Sequence, residues 1–263
     1  MNIKVNRIGC IIQARMNSHR LFGKVLVKIC GKSILEHIIE RIKESKYIQE
    51  IIIATSSSGI NDPIRDLGNK INIPVFSGSE DDVLSRYIEV SKTYNFRIIV
   101  RVTADDPLID IQEADKMIKI LEEKKLDYVT NSDISLDDYN TELPAGFQVE
   151  VLSSDALLSL EDKDLTQLHR EHVTLYIEQY AEKYNIRFIK PRENIRYKGL
   201  RLTVDTPEDL GLMNKIYLEL YKGRPILNEK VVELIKKNPS LSLLNSSIKT
   251  NYSYLDGIRV KKL

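Results

Sequence analysis

The sequence predicts a three-layer α/β fold in which a mostly parallel sheet is covered by helices on both faces. Short apolar, β-branched runs alternate with amphipathic helical patterns through the first half of the chain. Continuous apolar strands of this kind are typical of a parallel sheet that is buried on both sides. With 42% hydrophobic residues among 263, the chain has enough apolar material for one large domain.

The first half of the chain supplies the predicted elements in regular alternation. In order they are IGCIIQ, SILEHIIERIKES, EIIIAT, NDPIRDLGNKI, VFSG, EDDVLSRYIEVSKTYN and RIIVRVT. Ser33, Asn61 or Asp62 before Pro63, and Ser79 mark the helix starts, because such residues cap the first turn or precede a proline at its first position.

The pattern changes in the middle of the chain. ELPAGFQVEVLSS alternates as a strand does, and two helical stretches follow around DALLSLED and DLTQLHREHVTLYIEQYAEKY. A last apolar strand, GLRLTVD, leads into the helix TPEDLGLMNKIYLELY, and NEKVVELIKKNPSLSLLN indicates a helical pair. We therefore predict one domain over residues 1–225, with an insertion at about 140–190, and a C-terminal helical extension and tail over 226–263.

Composition excludes several classes of partner. The formal net charge is +1, from 39 basic and 38 acidic residues, which argues against a protein that coats nucleic acid or an anionic membrane. No apolar run approaches the roughly 20 residues of a spanning helix, and MNIKVNR is too polar for a secretory signal. We expect a cytoplasmic protein with no nucleic-acid or membrane partner, and a homodimer is compatible with this interpretation. Cys10 and Cys30 lack zinc-site spacing and are predicted to be buried thiols.

The loop after the first predicted strand is basic. QARMNSHRLFGK contains Arg15, Arg20 and Lys24 and no acid. Ligands of open α/β sheets bind beyond the carboxyl ends of the strands, where amides and basic side chains can converge on phosphates. The loop contains neither a Walker A motif nor a dinucleotide fingerprint. Two interpretations stay open, a phosphate-binding loop and a solvated basic loop.

Carboxylates follow two of the predicted strands. Asp105 and Asp106 come after RIIVRVT, and Asp205 comes after GLRLTV. Carboxylates at neighbouring strand ends can hold Mg²⁺ together with phosphate oxygens and water. Each could instead cap a helix, and for Asp205 taken singly capping is favoured. The basic loop on the same rim shifts the balance toward a metal–triphosphate site.

Six segments together resemble the cytidylyltransferases grouped with spore-coat polysaccharide biosynthesis proteins, relatives of CMP-Kdo and CMP-acylneuraminate synthetases. They occur in order over about residues 8–220 and read IIQARMNSHRLFGKVL, SEDDVLSRY, RVTADDPLID, GFQVEVLSSDAL, REHVTLYI and TVDTPEDL. The resemblance implies a Rossmann-like, GT-A-like nucleotidyltransferase fold. It also implies Mg²⁺ as cofactor, and CTP and a small sugar or sugar-acid acceptor as substrates.

The resemblance assigns roles to the basic loop. Gln13 and Ala14 would face the base through their backbone groups. Arg15, Arg20 and Lys24 would bind the phosphates, and Arg15 and Lys24 would also offset the charge that develops during the reaction.

The resemblance also implies a metal site. Asp105 and Asp205 match the family's two metal-binding carboxylates, with Asp105 contributing to the nucleotide site as well, and Asp106 is left with a structural role. Arg86 could reach the nucleotide, or it could form an i,i+4 pair with Asp82.

The inserted segment faces the acceptor in the resembling enzymes. Gln148 and Glu150 are expected to share one strand face, and Arg170 and His172 lie near a helix start, where Arg170 would suit an acidic sugar. The alternative, that Arg170 and Glu171 form a surface pair and His172 is structural, stays open.

We therefore expect transfer of CMP from CTP, with release of pyrophosphate, for surface glycan synthesis, a reaction in which positioning and electrostatics dominate. Two alternatives remain. A glycosyltransferase of similar fold would use a D-x-D motif, but SDISLDDY and EDDVL do not place one after a strand. The second alternative is a non-catalytic nucleotide-binding subunit. The intact set of Arg15, Lys24, Asp105 and Asp205 argues against this alternative.

Overall fold

The structure is a computed structural model that describes residues 7–132 and 142–248. Within these ranges, seven strands form one central sheet: β1 (Arg7–Gln13), β4 (Glu50–Ser56), β5 (Val75–Gly78), β6 (Phe96–Thr103), β7 (Tyr128–Thr130), β8 (Glu150–Ser153) and β9 (Ile186–Phe188). A small hairpin is made by β2 (Lys28–Ile29) and β3 (Lys32–Ser33).

The order of the sheet is β5-β4-β1-β6-β8-β7-β9. β5, β4, β1 and β6 are parallel, and β8 runs antiparallel to both β6 and β7. The predicted mostly parallel sheet is confirmed. The carboxyl ends of β1 and β6 lie side by side, because Gln13 pairs in register with Thr103.

Helices cover both faces of the sheet. The bounds in the described part of the chain are α1 (Ile34–Ile42), α2 (Asp62–Lys70), α3 (Val83–Tyr94), α4 (Ile111–Lys124), α5 (Ser154–Leu158), α6 (Gln167–Glu171), α7 (Leu175–Gln179), α8 (Pro207–Leu220) and α9 (Asn228–Lys237). Cys10 and Ile12 of β1 pack into the core under α1, α4, α8 and α9, while Ile11 packs under α3, α5 and α7. This alternation gives the predicted three layers.

Local side-chain chemistry sets the helix starts. Ser33 caps α1 as predicted: its hydroxyl accepts from the Glu36 N–H at 3.2 Å, and the Glu36 carboxylate accepts from the Ser33 N–H at 2.7 Å. The predicted cap at Ser79 is wrong. α3 begins after Asp82, and the Ser79 hydroxyl accepts from the Asp82 N–H and so orders the approach to the helix.

The predicted strand GLRLTVD is also wrong. Its pairing is limited to one isolated bridge between Ala145 and Arg201. The segment bonds to loops instead, since the Leu202 N–H donates to the Ala145 carbonyl at 2.7 Å and the Val204 N–H to the Asp105 carbonyl at 2.8 Å. Leu202 and Val204 are buried. The apolar pattern of this segment therefore reflects burial against loops and not pairing with another strand.

The inserted segment differs from its predicted elements. Its strand is confined to β8, because the preceding chain turns at Gly146, whose φ is 99° and where a Cβ would lie 2.8 Å from the carbonyl carbon of Leu202. The second long helical stretch is broken at residues 172–174 into α6 and α7. Cys10 is buried as predicted, but Cys30 is exposed in the turn between β2 and β3.

The C-terminal extension packs on the main core. α9 is followed by a 3₁₀ helix, Pro239–Asn245, as the predicted helical pair suggested. Val231, Val232 and Ile235 of α9 are fully buried in the core that also contains Ile12. The tail beyond residue 248 lies outside the described residues. A membrane-crossing helix would need more length and apolarity than any helix in the described ranges has.

Candidate active site

A cavity of about 430 Å³ opens at the carboxyl ends of β1 and β6. It is lined by Gln13, Arg15, Asn17, Ser18, His19, Arg20, Lys24, Val25, Thr103, Ala104, Asp105, His172 and Asp205. The structure therefore brings together residues of the basic loop, both predicted metal-binding carboxylates and one residue of the inserted segment. This is the position where open α/β sheets bind ligands.

The basic loop is folded back by backbone hydrogen bonds. The Met16 N–H donates to Asn61 Oδ1 at 2.8 Å, and the Met16 carbonyl accepts from the amides of Ser18 and Gly23, each at 2.9 Å. Gly23 has a φ of 65°, which reverses the chain into the 3₁₀ helix Lys24–Leu26. The turn directs Lys24 into the cavity.

Lys24 lies between the two predicted metal ligands. Its Nζ is 2.8 Å from Asp105 Oδ2 and 2.7 Å from Asp205 Oδ1, and its side chain is only 11% exposed. Burial alone would lower the pKa of Lys24, but the charges of Asp105 and Asp205 outweigh burial and raise the pKa. Burial would likewise raise the pKa of Asp105, and the Lys24 charge lowers it below its ordinary value. Lys24 and Asp105 are therefore both ionised at neutral pH.

Two arginines complete the neutralisation of Asp205. Arg20 approaches Oδ1 at 3.0 Å, and the guanidinium of Arg201 binds Oδ2. Arg201 also donates through Nε to Asp209 Oδ1 at 3.0 Å. Asp205 is thus held by three cations, of which Arg20 and Lys24 line the cavity where a polyphosphate would enter.

The donor set suits a magnesium ion that is also bound by phosphate. Asp105 and Asp205 converge on one point, where the Lys24 ammonium now lies. The described residues contain no group of three or more acidic, histidine or cysteine side chains that could hold a metal. Mg²⁺ is commonly bound by one or two carboxylates together with phosphate oxygens and water. Asp105 and Asp205 fit that ligand set, whereas the described ranges contain no site made of protein ligands alone.

Asp106 has the structural role expected for it. Its Oδ2 accepts from the Thr103 hydroxyl at 2.7 Å, at the carboxyl end of β6. Burial, and then the charge of Asp105, raise the pKa of Asp106 to about 8. Of the two adjacent aspartates, only Asp105 lines the cavity.

The sheet already uses part of the backbone that was predicted to read the base. The Gln13 carbonyl accepts from the Ala104 N–H at 3.0 Å, and the Ala14 N–H donates to the Ala54 carbonyl at 3.1 Å. The Gln13 side chain is held by the Tyr87 hydroxyl at 3.3 Å. Contact of Gln13 and Ala14 with a base stays a prediction.

A second, small cavity of about 30 Å³ shares Gln13 and Arg15 with the first. Its other lining residues are Ala14, Val83, Arg86 and Glu171. Arg86 is 3% exposed, and its Nε has no hydrogen-bond partner among the described residues. The alternative pair with Asp82 does not form, because that carboxylate caps α3 and accepts from Arg170 at 2.6 Å. Arg86 thus lines the small cavity beside Gln13 and Arg15, and its contact with a nucleotide stays a prediction.

Of the four residues predicted to bind the acceptor, one lines the larger cavity. Glu150 accepts from Arg101 at 2.8 Å in a partly buried ion pair, and β8 begins only there, so the strand face expected to join Gln148 and Glu150 does not exist. Arg170 is bound to Asp82, and Glu171 lies 3.3 Å from Arg15. His172 is the member of the set that lines the larger cavity, and burial lowers its pKa. Contact of any of the four with an acceptor stays a prediction.

Comparison with known proteins decides the family. The sequence model of the family described as cytidylyltransferase matches residues 9–239. The chain belongs to the cytidylyltransferase family. The spore coat polysaccharide biosynthesis protein SpsF of Bacillus subtilis is 31% identical over 240 residues, which are 89% of this chain and 96% of SpsF.

Solved structures agree with this family membership. A cytidylyltransferase from Leptospira borgpetersenii superposes with a TM-score of 0.81 at 31% identity, covering 94% of this chain and 99% of that one. A CMP:2-keto-3-deoxy-manno-octonic acid synthetase complexed with CTP shares the fold, with a TM-score of 0.60 at 16% identity over 81% of this chain and 99% of that one. The resemblance stated from sequence motifs and the nucleotidyltransferase fold are both confirmed.

Several residues of this cytidylyltransferase site were not predicted from sequence. Arg201 and Asp209 flank Asp205 at a spacing of four residues, the one sequence signal that could have linked them. Asn17, Ser18 and His19 lie inside the recognised loop but carry no charge pattern of their own.

Proposed function

We propose that this cytidylyltransferase transfers CMP from CTP to a sugar or sugar-acid acceptor, with Mg²⁺ as cofactor, in cytoplasmic synthesis of a surface polysaccharide. The observation that carries the proposal is the position of Lys24 between Asp105 and Asp205, at the carboxyl ends of β1 and β6. A buried cation held by two carboxylates beside a basic loop is suited to a metal-bound polyphosphate.

In the proposed reaction an acceptor hydroxyl loses its proton to solvent and its oxygen attacks the α-phosphorus of CTP. The bond from that phosphorus to the bridging oxygen breaks, and pyrophosphate leaves with the electron pair. Mg²⁺, when bound by Asp105 and Asp205, would supply positive charge to the phosphate oxygens. No side chain needs to form a covalent bond, so the chain contributes position and charge.

The basic residues exchange partners when the nucleotide binds. Arg20 and Lys24 both contact Asp205. When nucleotide and a divalent cation bind, Asp105 and Asp205 would hold the cation, and Arg20 and Lys24 would turn from Asp205 to the phosphate oxygens. Lys24 then acts as a point charge, while the guanidiniums of Arg15 and Arg20 can bind two phosphate oxygens each.

The base is proposed to bind where the small cavity meets the large one. The Ala14 carbonyl would accept from the cytosine amino group, and the buried Arg86 guanidinium would donate to the cytosine carbonyl. A cavity of about 30 Å³ is smaller than a pyrimidine. We therefore expect Arg15 and Glu171, which pair across it at 3.3 Å, to separate on binding.

The class of acceptor follows from the relatives. SpsF is named for spore coat polysaccharide biosynthesis, and the synthetase with the same fold is named for a keto-deoxy sugar acid. His172 is the residue of the inserted segment best placed to meet such an acceptor, because it lines the same cavity as the basic loop. Arg15, about half exposed at the cavity rim, could bind an acidic group.

The test is release of pyrophosphate from CTP in the presence of a panel of sugar acids, with Mg²⁺ or with a chelator. Lys24→Met should abolish release. Lys92→Met is the matched control, because Lys92 also pairs with a carboxylate, that of Glu161, but both side chains are about half exposed. We expect the control to keep wild-type activity. Release that is independent of Mg²⁺, or equal in the two variants, would contradict the proposal.

A further inference from the structure

The C-terminal extension reaches the candidate active site through one buried side chain. Asn245 ends the 3₁₀ helix Pro239–Asn245 and is 2% exposed. Its Nδ2 donates to Asp209 Oδ1 at 2.8 Å and to the Arg201 carbonyl at 3.1 Å. The contact spans 36 residues of sequence to Asp209 and 44 to Arg201.

Asp209 in turn fixes the backbone beneath the proposed metal ligand. Its Oδ2 accepts from the N–H groups of Asp205 at 3.0 Å and Thr206 at 3.1 Å, and its Oδ1 accepts from Arg201 Nε at 3.0 Å. Asp209 is 1% exposed. The same Arg201 guanidinium binds the Asp205 carboxylate, so the main chain and the side chain of Asp205 are both held from this network.

We propose that Asn245 is a positioning residue for Asp205, so that the C-terminal extension completes the catalytic site. The inference rests on the proposed role of Asp205 in holding the metal–nucleotide complex. It adds a residue that the sequence motifs do not reach.

Asn245 can influence Asp205 because it supplies one of the hydrogen bonds that saturate the buried Asp209 carboxylate. An ionised carboxylate has about four lone-pair sites. In Asp209 four donors lie within 3.1 Å: Arg201 Nε, the amides of Asp205 and Thr206, and Asn245 Nδ2. Without Asn245, Asp209 Oδ1 and the Arg201 carbonyl each lose a donor, so the carboxylate that holds the Asp205 and Thr206 amides is less firmly fixed. Loss of such an outer partner typically weakens metal binding by about 10- to 100-fold.

Asn245→Leu removes both hydrogen bonds and keeps the branching of the side chain at Cγ. Asn228→Leu is the matched control: Asn228 belongs to the same extension and is 4% exposed. It also makes two buried side-chain hydrogen bonds, donating to the Leu108 carbonyl at 2.7 Å and accepting from Arg41 at 2.6 Å. These bonds do not involve Asp205. Both variants should have a lower free energy of unfolding, but only Asn245→Leu should weaken metal binding.

The measurements are the affinity for Mn²⁺ in the presence of CTP, by calorimetry or electron paramagnetic resonance, and the midpoint of thermal unfolding. We expect Asn245→Leu to weaken Mn²⁺ binding about tenfold, and Asn228→Leu to bind Mn²⁺ as the wild type does. In turnover assays, a higher Mg²⁺ concentration should restore much of the activity of Asn245→Leu. Unchanged Mn²⁺ affinity in Asn245→Leu would overturn the proposal.

Asn245→Ala provides a second variant should the leucine prevent folding, and the same loss of Mn²⁺ affinity is expected. Wild-type affinity in Asn245→Ala would overturn the proposal equally. Failure of the proposed function has a different signature. In that case wild-type protein binds Mn²⁺ and CTP but releases no pyrophosphate, while Asn245 and Asn228 variants still differ in metal affinity.

Discussion

Replacement of Lys24 by methionine tests whether the Lys24 ammonium is what allows two carboxylates to lie so close in a buried site. Methionine keeps the apolar part of the side chain and removes the charge. The Lys24 side chain is 11% exposed and that of Asp105 is 27% exposed. Loss of one partner from a buried ion pair costs about 3–5 kcal/mol. Because Asp105 keeps some contact with water, we expect Lys24→Met to lower the free energy of unfolding by about 2 kcal/mol.

Asp105→Asn should then rescue part of this loss, because it removes the carboxylate that the first change left without a counter-charge. Urea unfolding of the wild type, both single variants and the double variant gives the coupling energy directly. We expect the double variant to be more stable than additivity predicts, by about 2 kcal/mol. The cycle is run without divalent cation, so that no metal replaces the ammonium. Additive losses would refute the idea that Lys24 and Asp105 neutralise each other.

Three further predictions concern the metal, the base and pH. Asp205→Asn should abolish turnover and leave the protein folded, because Lys24 and Arg201 each keep a second carboxylate, those of Asp105 and Asp209; near-normal Mg²⁺-dependent rates would show that Asp205 is not a metal ligand. Initial rates should favour CTP over UTP by about tenfold to a hundredfold, because uracil offers the Ala14 carbonyl no donor and the lost hydrogen bond costs about 1–3 kcal/mol. Equal rates would exclude recognition of the cytosine amino group by this carbonyl. Burial, and then Glu150, raise the pKa of Glu178 to about 8, so the folded state keeps a proton that the unfolded state loses, and stability falls by about 1.4 kcal/mol per pH unit between pH 5 and 8. Glu178→Gln keeps the hydrogen bond from the Tyr128 hydroxyl. Its free energy of unfolding in urea should therefore rise relative to that of the wild type as pH increases. Parallel pH profiles of the two proteins would argue against a raised pKa of Glu178.

The parts of the site that could be predicted from sequence are those encoded locally. Arg15, Arg20 and Lys24 occur within one loop after an apolar strand, and Asp105 follows another apolar strand, so the rule for strand ends sufficed. Asp205 was placed correctly in space although its segment is not a strand. Its apolar neighbours are buried against loops, and burial and sheet pairing give the same sequence pattern.

The parts that could not be predicted depend on partners distant in sequence. Glu150 looked available to an acceptor, but Arg101 on the neighbouring strand binds its carboxylate, and no local pattern announces that pair. Asn245 lies in a segment without a motif, 36 residues from Asp209. The break between α6 and α7, which brings His172 to the cavity, interrupts a sequence whose helical periodicity is continuous.

The central claim, that the site transfers a nucleotidyl group, is tested most directly with CTP labelled at either the α- or the γ-phosphate. The labelled nucleotides are incubated with Mg²⁺ and the panel of sugar acids, and the products are separated and identified by mass. We expect the α-label to move to the acceptor as a CMP conjugate and the γ-label to leave in pyrophosphate. Transfer of the γ-label to the acceptor, or release of labelled CMP with no conjugate for any sugar acid, would contradict it.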